Sequence, residues 1–90
     1  MRIKEGFERR KIGQHEMVCK TLGDTKFDIC FALNETGAFL WDGLIRGDSE
    51  KTLLAEMMQE YEAGPEDAEM ISNDVKEFLN QLRSIGVLED

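Results

Sequence analysis

The sequence has few of the residues that catalytic and metal-binding sites use most. Its 90 residues include one histidine, His15, and two cysteines, Cys19 and Cys30. The cysteine spacing is not that of a CxxC redox motif, and a tetrahedral zinc site would need further ligands. No recognisable catalytic partner accompanies His15, which we interpret as an exposed turn residue. We predict no catalysis, no metal and no cofactor, and reduced cysteines rather than a disulfide.

Long apolar runs and linker-like segments are also lacking. No stretch approaches the roughly 18 to 20 apolar residues that a membrane-spanning helix needs. The polar amino terminus does not have the apolar core of a secretory signal. No repeat, low-complexity segment or Pro-rich linker divides the chain. We expect a single domain, residues 1–90, that is cytoplasmic and has no membrane partner.

Acidic residues outnumber basic ones, and the two are unevenly distributed. The formal net charge is -8 at pH 7, which repels nucleic-acid phosphates and weighs against DNA or RNA as partners. The basic residues of the first quarter are Arg2, Lys4, Arg9, Arg10, Lys11 and Lys20, and the acidic residues of the second half include Glu56, Glu60, Glu62, Glu66, Asp67, Glu69, Asp74 and Glu77. These acids are typical of solvated helix faces, and the alternative is a surface that attracts a basic partner.

The first third of the sequence has the pattern of β-strands. Three strands are predicted, over residues 7–12, 16–22 and 26–33. A hairpin closing around Asp24 and Thr25 would pair Leu22 with Phe27, Lys20 with Ile29, Val18 with Phe31 and Cys19 with Cys30. The period of two then places Phe27, Ile29, Phe31 and Leu33 on the side that meets the helices.

Three helices are predicted after the strands. Asn34 is a candidate N-cap of a helix from Glu35 to Ile45, in which Trp41 shares a face with Leu44 and Ile45 and anchors the core. Gly47 ends this helix, Ser49 caps a second helix that runs to about Tyr61, and Pro65 begins the third. The apolar residues of the third helix recur every three or four positions, at Ala68, Ile71, Val75, Phe78, Leu82 and Ile85, with Leu79 beside them. Gly86 stops the third helix, after which Val87 and Leu88 can fold back over it.

The order of elements predicts an α+β fold. A three-stranded antiparallel sheet followed by three helices is typical of a winged helix-turn-helix-like domain. In a DNA-binding domain of that shape, the third helix would carry basic or amide side chains. Here it carries mainly acids, with only Lys76 and Arg83 opposing them. A winged-helix DNA-binding regulator is therefore a weak alternative.

Several segments resemble the family of coenzyme PQQ synthesis protein D. They are LNETGAFLWDGL, from Leu33 to Leu44, the stretch EYEAGPEDAE, and the ending LRSIGVLED. The resemblance extends over nearly the whole chain. It implies a non-catalytic domain that binds the leader segment of a ribosomally made precursor peptide and presents it to a modifying enzyme, often a radical SAM enzyme. The acidic surface favours a basic precursor.

In this family the binding site is a strand edge beside a helix groove, without a fixed set of side chains. The last strand of a three-stranded sheet joined in order has one free edge, which can accept a peptide strand. We predict a groove formed by Asp28, Ile29, Cys30, Phe31, Asp74, Val75, Phe78, Leu79 and Leu82. The alternative is that its apolar members are core residues only. A structural interaction domain, monomeric or a homodimer through the same edge, is the second functional hypothesis.

Overall fold

The computed structural model of the chain describes residues 1–23 and 26–89, and for residues 29 and 30 it describes the backbone alone. The strands are β1 (Arg2–Ile3), β2 (Phe7–Ile12), β3 (His15–Thr21), β4 (Phe27–Leu33) and β5 (Leu88–Glu89). The helices are α1 (Glu35–Arg46), α2 (Glu50–Glu60) and α3 (Ala68–Ser84), with a 3-10 turn at Pro65–Asp67 before α3. The fold class is α+β with antiparallel strands followed by three helices, as predicted. No helix in the described ranges has the length and apolar character needed to cross a membrane.

The main sheet has the predicted order β2-β3-β4. A tight turn joins β2 to β3, with Ile12 opposite His15 and Gly13 at a φ of 64°. His15 is exposed, as predicted, but it begins a strand instead of lying in the turn. At the other end of β3, the Leu22 N–H donates to the Lys26 carbonyl oxygen at 2.9 Å. The predicted turn residues Asp24 and Thr25 lie outside the described residues.

A β-bulge in β4 interrupts the predicted alternation. The structure confirms Val18 opposite Phe31, but the next residue of β3, Cys19, lies opposite Ile29, so β4 has one extra residue at position 30. An extra residue on one strand displaces every later pair by one and exchanges the two faces of that strand. The predicted register is therefore right on one side of the bulge and wrong on the other.

Three predicted pairs are wrong for this reason. The observed pairs are Lys20 with Asp28 and Thr21 with Phe27, in place of Lys20 with Ile29, Leu22 with Phe27, and Cys19 with Cys30. Phe27, predicted to face the helices, is 37% exposed. The Arg10 guanidinium lies 4.6 Å from the centre of its ring, which fits a site on the outer face of the sheet.

A second, two-stranded sheet was not predicted. It pairs β1 with β5, with Ile3 opposite Leu88, and the Lys4 N–H donates to the Val87 carbonyl oxygen at 2.8 Å. Gly86, at a φ of 79°, ends the third helix and turns the chain back, so that Val87 and Leu88 are buried. The predicted folding back of this segment is confirmed.

The helix ends follow the sequence signals closely. The Asn34 side-chain oxygen accepts a hydrogen bond from the Gly37 N–H at 2.7 Å. Ser49 accepts one from the Thr52 N–H at 3.2 Å. Gly47 has a φ of 88° and lies in the left-handed region, which glycine adopts without steric cost. Local capping chemistry therefore sets where α1 and α2 begin and where α1 ends.

The core lies between the main sheet and the helices. Its buried members, drawn from every layer, are Val18, Leu33, Leu40, Trp41, Leu44, Leu53, Met57, Ile71, Val75, Leu79, Leu82, Val87 and Leu88. Trp41 is 2% exposed and confirms the predicted anchor, whereas Ile45 is 61% exposed and does not share its burial. A residue four positions on is rotated about 40° around the helix, which is enough to bring Ile45 into solvent.

Arg9 links the sheet to α1. Its Nη1 donates to both Asp42 carboxylate oxygens, at 2.8 and 2.9 Å, and its Nε donates to Glu16 at 2.9 Å. The hydrogen bond from Arg9 lowers the pKa of the Glu16 carboxyl. This charged contact connects the β2-β3 hairpin to α1.

Replacing Trp41 by Ala should lower the free energy of unfolding by about 3 to 5 kcal/mol, because it removes a fully buried aromatic side chain and leaves a cavity. Ile45→Ala, on the same helix but exposed, is the control and should change stability by less than about 1 kcal/mol. Urea denaturation followed by circular dichroism measures both. Equal midpoints for the two variants would contradict the assignment of Trp41 to the core.

Replacing Asn34 by Ala should cost about 1 kcal/mol of stability, because the Gly37 N–H loses its acceptor. Asn34→Asp keeps a side-chain oxygen at the cap and adds a favourable charge at the helix N-terminus, so it should retain wild-type stability. The same denaturation experiment compares the two. An Asp variant as unstable as the Ala variant would show that the cap is not what stabilises α1.

Candidate functional site

The edge of β4 is the first component of the candidate site. Among the described strands, β4 pairs with β3 alone, so the backbone groups along its other side have no strand partner there. Unpaired N–H and C=O groups in a row are a template for a further strand. The edge runs from Phe27 to Leu33 and includes the bulge at position 30.

A groove lies beside the end of β4 and is the second component. It has a volume of about 570 Å³ and opens between β4, the first turn of α1 and the last two turns of α3. Its apolar lining comes from Phe31, Leu33, Phe78, Leu82 and Ile85. Phe31 and Phe78 are half-buried, and Ile85 is 54% exposed. The groove therefore presents apolar surface to solvent, which is typical of a binding surface.

Close packing at Gly37 shapes this groove. A Cβ at this position would lie 3.1 Å from the Asn34 side-chain oxygen, 3.3 Å from Leu33 Cδ2 and 3.4 Å from Phe78 Cε1. The absence of a side chain lets the start of α1 approach α3 within van der Waals contact. The capping bond from Asn34 holds the same turn in place. The sequence Leu33-Asn34-Glu35-Thr36-Gly37 thus builds one wall of the groove.

The structure brings together only some of the predicted site residues. The groove is lined by Phe31, Phe78 and Leu82. Leu82 is only 1% exposed, so little of its side chain is accessible from the groove. Val75 and Leu79 are fully buried core residues that do not line the groove. Their apolar periodicity is explained by core packing, which was the alternative stated for them.

Two of the other predicted residues lie away from the apolar groove, and for two more the structure does not describe the side chains. Asp28 is exposed on β4 beyond the bulge, opposite Lys20. Asp74 is exposed on α3 and lines a neighbouring depression. The side chains of Ile29 and Cys30 lie outside what the structure describes. Because no ligand tests these positions, the site as a whole stays a prediction.

Several residues that line the groove were not predicted from the sequence. They are Ala32, Leu33, Asn34, Gly37, Gln81, Ser84 and Ile85. Ile85 belongs to the apolar pattern of α3, but it comes at the C-cap, where the helix has turned it out of the core. An apolar residue at the end of an amphipathic pattern, next to a Gly stop, was a signal for an exposed contact. The approach of Asn34 and Gly37 to α3 carries no such sequence signal.

Across residues 1–23 and 26–89, no group of three or more His, Cys, Asp or Glu side chains is placed to hold a metal ion. His15 is exposed at the tip of the β2-β3 hairpin, and Cys19 is buried in the sheet. The candidate site offers apolar surface, a strand edge and backbone groups that can form hydrogen bonds.

The chain is similar to a known protein family over most of its length. The family model described as coenzyme PQQ synthesis protein D (PqqD) matches residues 21–88, which include β4, all three helices and every lining residue of the groove. Neither a search of curated proteins nor a search of solved structures found a match. Since the family model covers most of the chain, the protein belongs to the coenzyme PQQ synthesis protein D family.

Proposed function

We propose that this protein binds the leader segment of a ribosomally synthesised precursor peptide and presents it to a modifying enzyme such as a radical SAM protein. The observation that carries the proposal is the edge of β4 next to an apolar groove. Family membership supports a small, non-catalytic partner in biosynthesis. A binding domain of this kind needs no catalytic residues of its own.

Strand addition explains how one domain accepts a leader sequence. An extended segment laid along β4 gains main-chain hydrogen bonds that do not depend on its side chains. Its side chains point alternately to the two faces of the enlarged sheet. Those on the helix side meet Phe31, Phe78 and Ile85. The edge supplies affinity and the groove selects apolar residues at alternate positions.

The size of the groove fits this use. Its volume of about 570 Å³ lies within the roughly 300 to 1,000 Å³ typical of ligand sites, so it can hold large apolar side chains. Burying one Leu or Phe side chain contributes about 1.5 to 3 kcal/mol. Together with several main-chain hydrogen bonds at about 1 kcal/mol each, this supports a specific complex.

Changing Ile85 to Ser should weaken leader binding about fivefold to tenfold, because a half-exposed apolar contact in the groove is lost. Phe78→Ser should weaken binding further, since Phe78 lines the groove with a larger apolar side chain. The measurement is calorimetric titration with the leader of a short precursor peptide encoded beside the protein.

Ile45→Ser is the matched control for this titration, because Ile45 is exposed to a similar extent as Ile85, 61% against 54%, but lies at the far end of α1. It should bind the leader like the wild type. Circular dichroism confirms that each variant is folded. If no neighbouring leader binds the folded wild-type protein, or if all three variants bind equally, the proposal is wrong.

A scan of single N-methylated residues along the leader should show a period of two. Methylation removes an N–H donor, so only residues whose N–H points toward β4 should lose affinity when methylated. Titration of each modified peptide measures the pattern. A helical leader would give no alternation, and this result would contradict strand addition.

Analytical ultracentrifugation of the free protein checks for the rival use of the edge, a homodimer whose mass depends on concentration.

A further inference from the structure

The apolar groove does not end at Phe78. A second depression continues from it along α3 toward the start of α1, and the two share the lining residues Asn34, Gly37, Phe78 and Gln81. The new members on this side are Thr36, Leu40, Asp74 and Glu77. An extended ligand in the groove therefore passes from an apolar surface to a polar one without leaving α3.

The second depression forms the polar end of the groove, and its described lining includes acidic but no basic residues. Of the described residues that line the two depressions, Asp74 and Glu77 are the ionisable ones. Both are exposed, and neither takes part in a salt bridge within the described ranges. Lys76, the basic residue between them in sequence, lines neither of the two depressions; it lines a third one on α3, which shares Glu77 and Gln81 with the second. The carboxylates are available to a ligand.

The charge distribution of the chain points the same way. Most of the 11 basic residues lie at or before β4, whereas most of the 19 acidic residues follow it. The helix side of the groove thus belongs to the acidic part of the protein. An arriving cationic segment is attracted to this side, and an acidic segment is repelled.

Helix and strand geometry give the spacing of the ligand's groups. Asp74 lies one turn before Phe78 on α3, about 6 Å along the axis. Side chains two residues apart on an extended peptide share a face and are about 7 Å apart. A side chain that packs on Phe78 therefore places the residue two positions away beside Asp74 and Glu77.

We infer that the groove selects peptides in which a large apolar residue is followed or preceded, at a distance of two residues, by Lys or Arg. The apolar residue packs on Phe78, and the cation lies between the carboxylates of Asp74 and Glu77. This inference rests on the proposed function and names the class of leader sequence that the site accepts. The selectivity belongs to α3, while the edge of β4 binds any extended backbone.

The test is selection from a phage-displayed library of random 12-residue peptides on the wild-type protein and on the double variant Asp74→Lys/Glu77→Lys. Wild-type protein should enrich peptides with Lys or Arg two residues from an aromatic or large aliphatic residue. The double variant should enrich Asp or Glu at that position. For one selected peptide, replacing its cation by Glu should weaken binding to the wild type about threefold to tenfold at low salt, and the difference should shrink at high salt.

The double variant Glu5→Lys/Glu60→Lys is the matched control. It changes the net charge by the same amount at two exposed positions that do not line the groove, and it should select the same peptides as the wild type. If both double variants enriched Asp or Glu at that position, net charge and not the groove would select the peptide.

The inference and the proposed function fail in different ways. Peptides whose binding depends on Phe78 but which show no charge preference would overturn the inference and leave the docking role in place. Selected peptides that bind Phe78→Ser as well as they bind the folded wild type would contradict the groove itself. A reversed preference in Asp74→Lys/Glu77→Lys, with none in the control, would establish both.

Discussion

The close approach of the first turn of α1 to Phe78 is the contact on which the candidate site depends. Asn34 caps the turn, and Gly37 has no side chain to hold α1 and α3 apart. A methyl group at Gly37 would require Asn34 or Leu33 to move by a few tenths of an ångström, and it would already touch Phe78. Behind this turn, Leu40 and Trp41 are buried in the core, so packing holds α1 against α3. The wall of the groove is thus part of the structural junction between sheet and helices.

The bulge in β4 decides which side chains reach that junction. On the helix-proximal side of the bulge, Phe31 and Leu33 point toward α3 and line the groove. On the other side, the alternation is exchanged and Phe27 lies on the outer face beneath Arg10. A strand with strict alternation would have directed Phe27 toward the helices as well. Because of the extra residue, only the end of β4 contributes apolar surface to the groove, while its backbone edge remains available along the strand.

The groove and the core share one helix, and this limits which residues can serve each. The apolar stripe of α3 is wide enough that Val75, Leu79 and Leu82 fill the core, while Phe78 and Ile85, on its margin, remain partly exposed. Substitutions on the margin affect the surface without opening a cavity, whereas substitutions at the centre remove core volume. The acids Asp74 and Glu77 occupy the next face around the helix. The marginal and polar residues of α3 can therefore be changed without removing core volume.

The sequence by itself determined most elements of this protein: the three strands of the main sheet, the three helices, the caps at Asn34, Ser49 and Gly47, and the buried Trp41. These follow from local backbone preferences and from periodicities that each segment carries alone. Only the tertiary structure decided the bulge at position 30, the pairing of β1 with β5, and which apolar residues of α3 face solvent. Such features depend on contacts between segments distant in the chain, where a shift of one residue in register or a small rotation of a helix exchanges buried and exposed side chains.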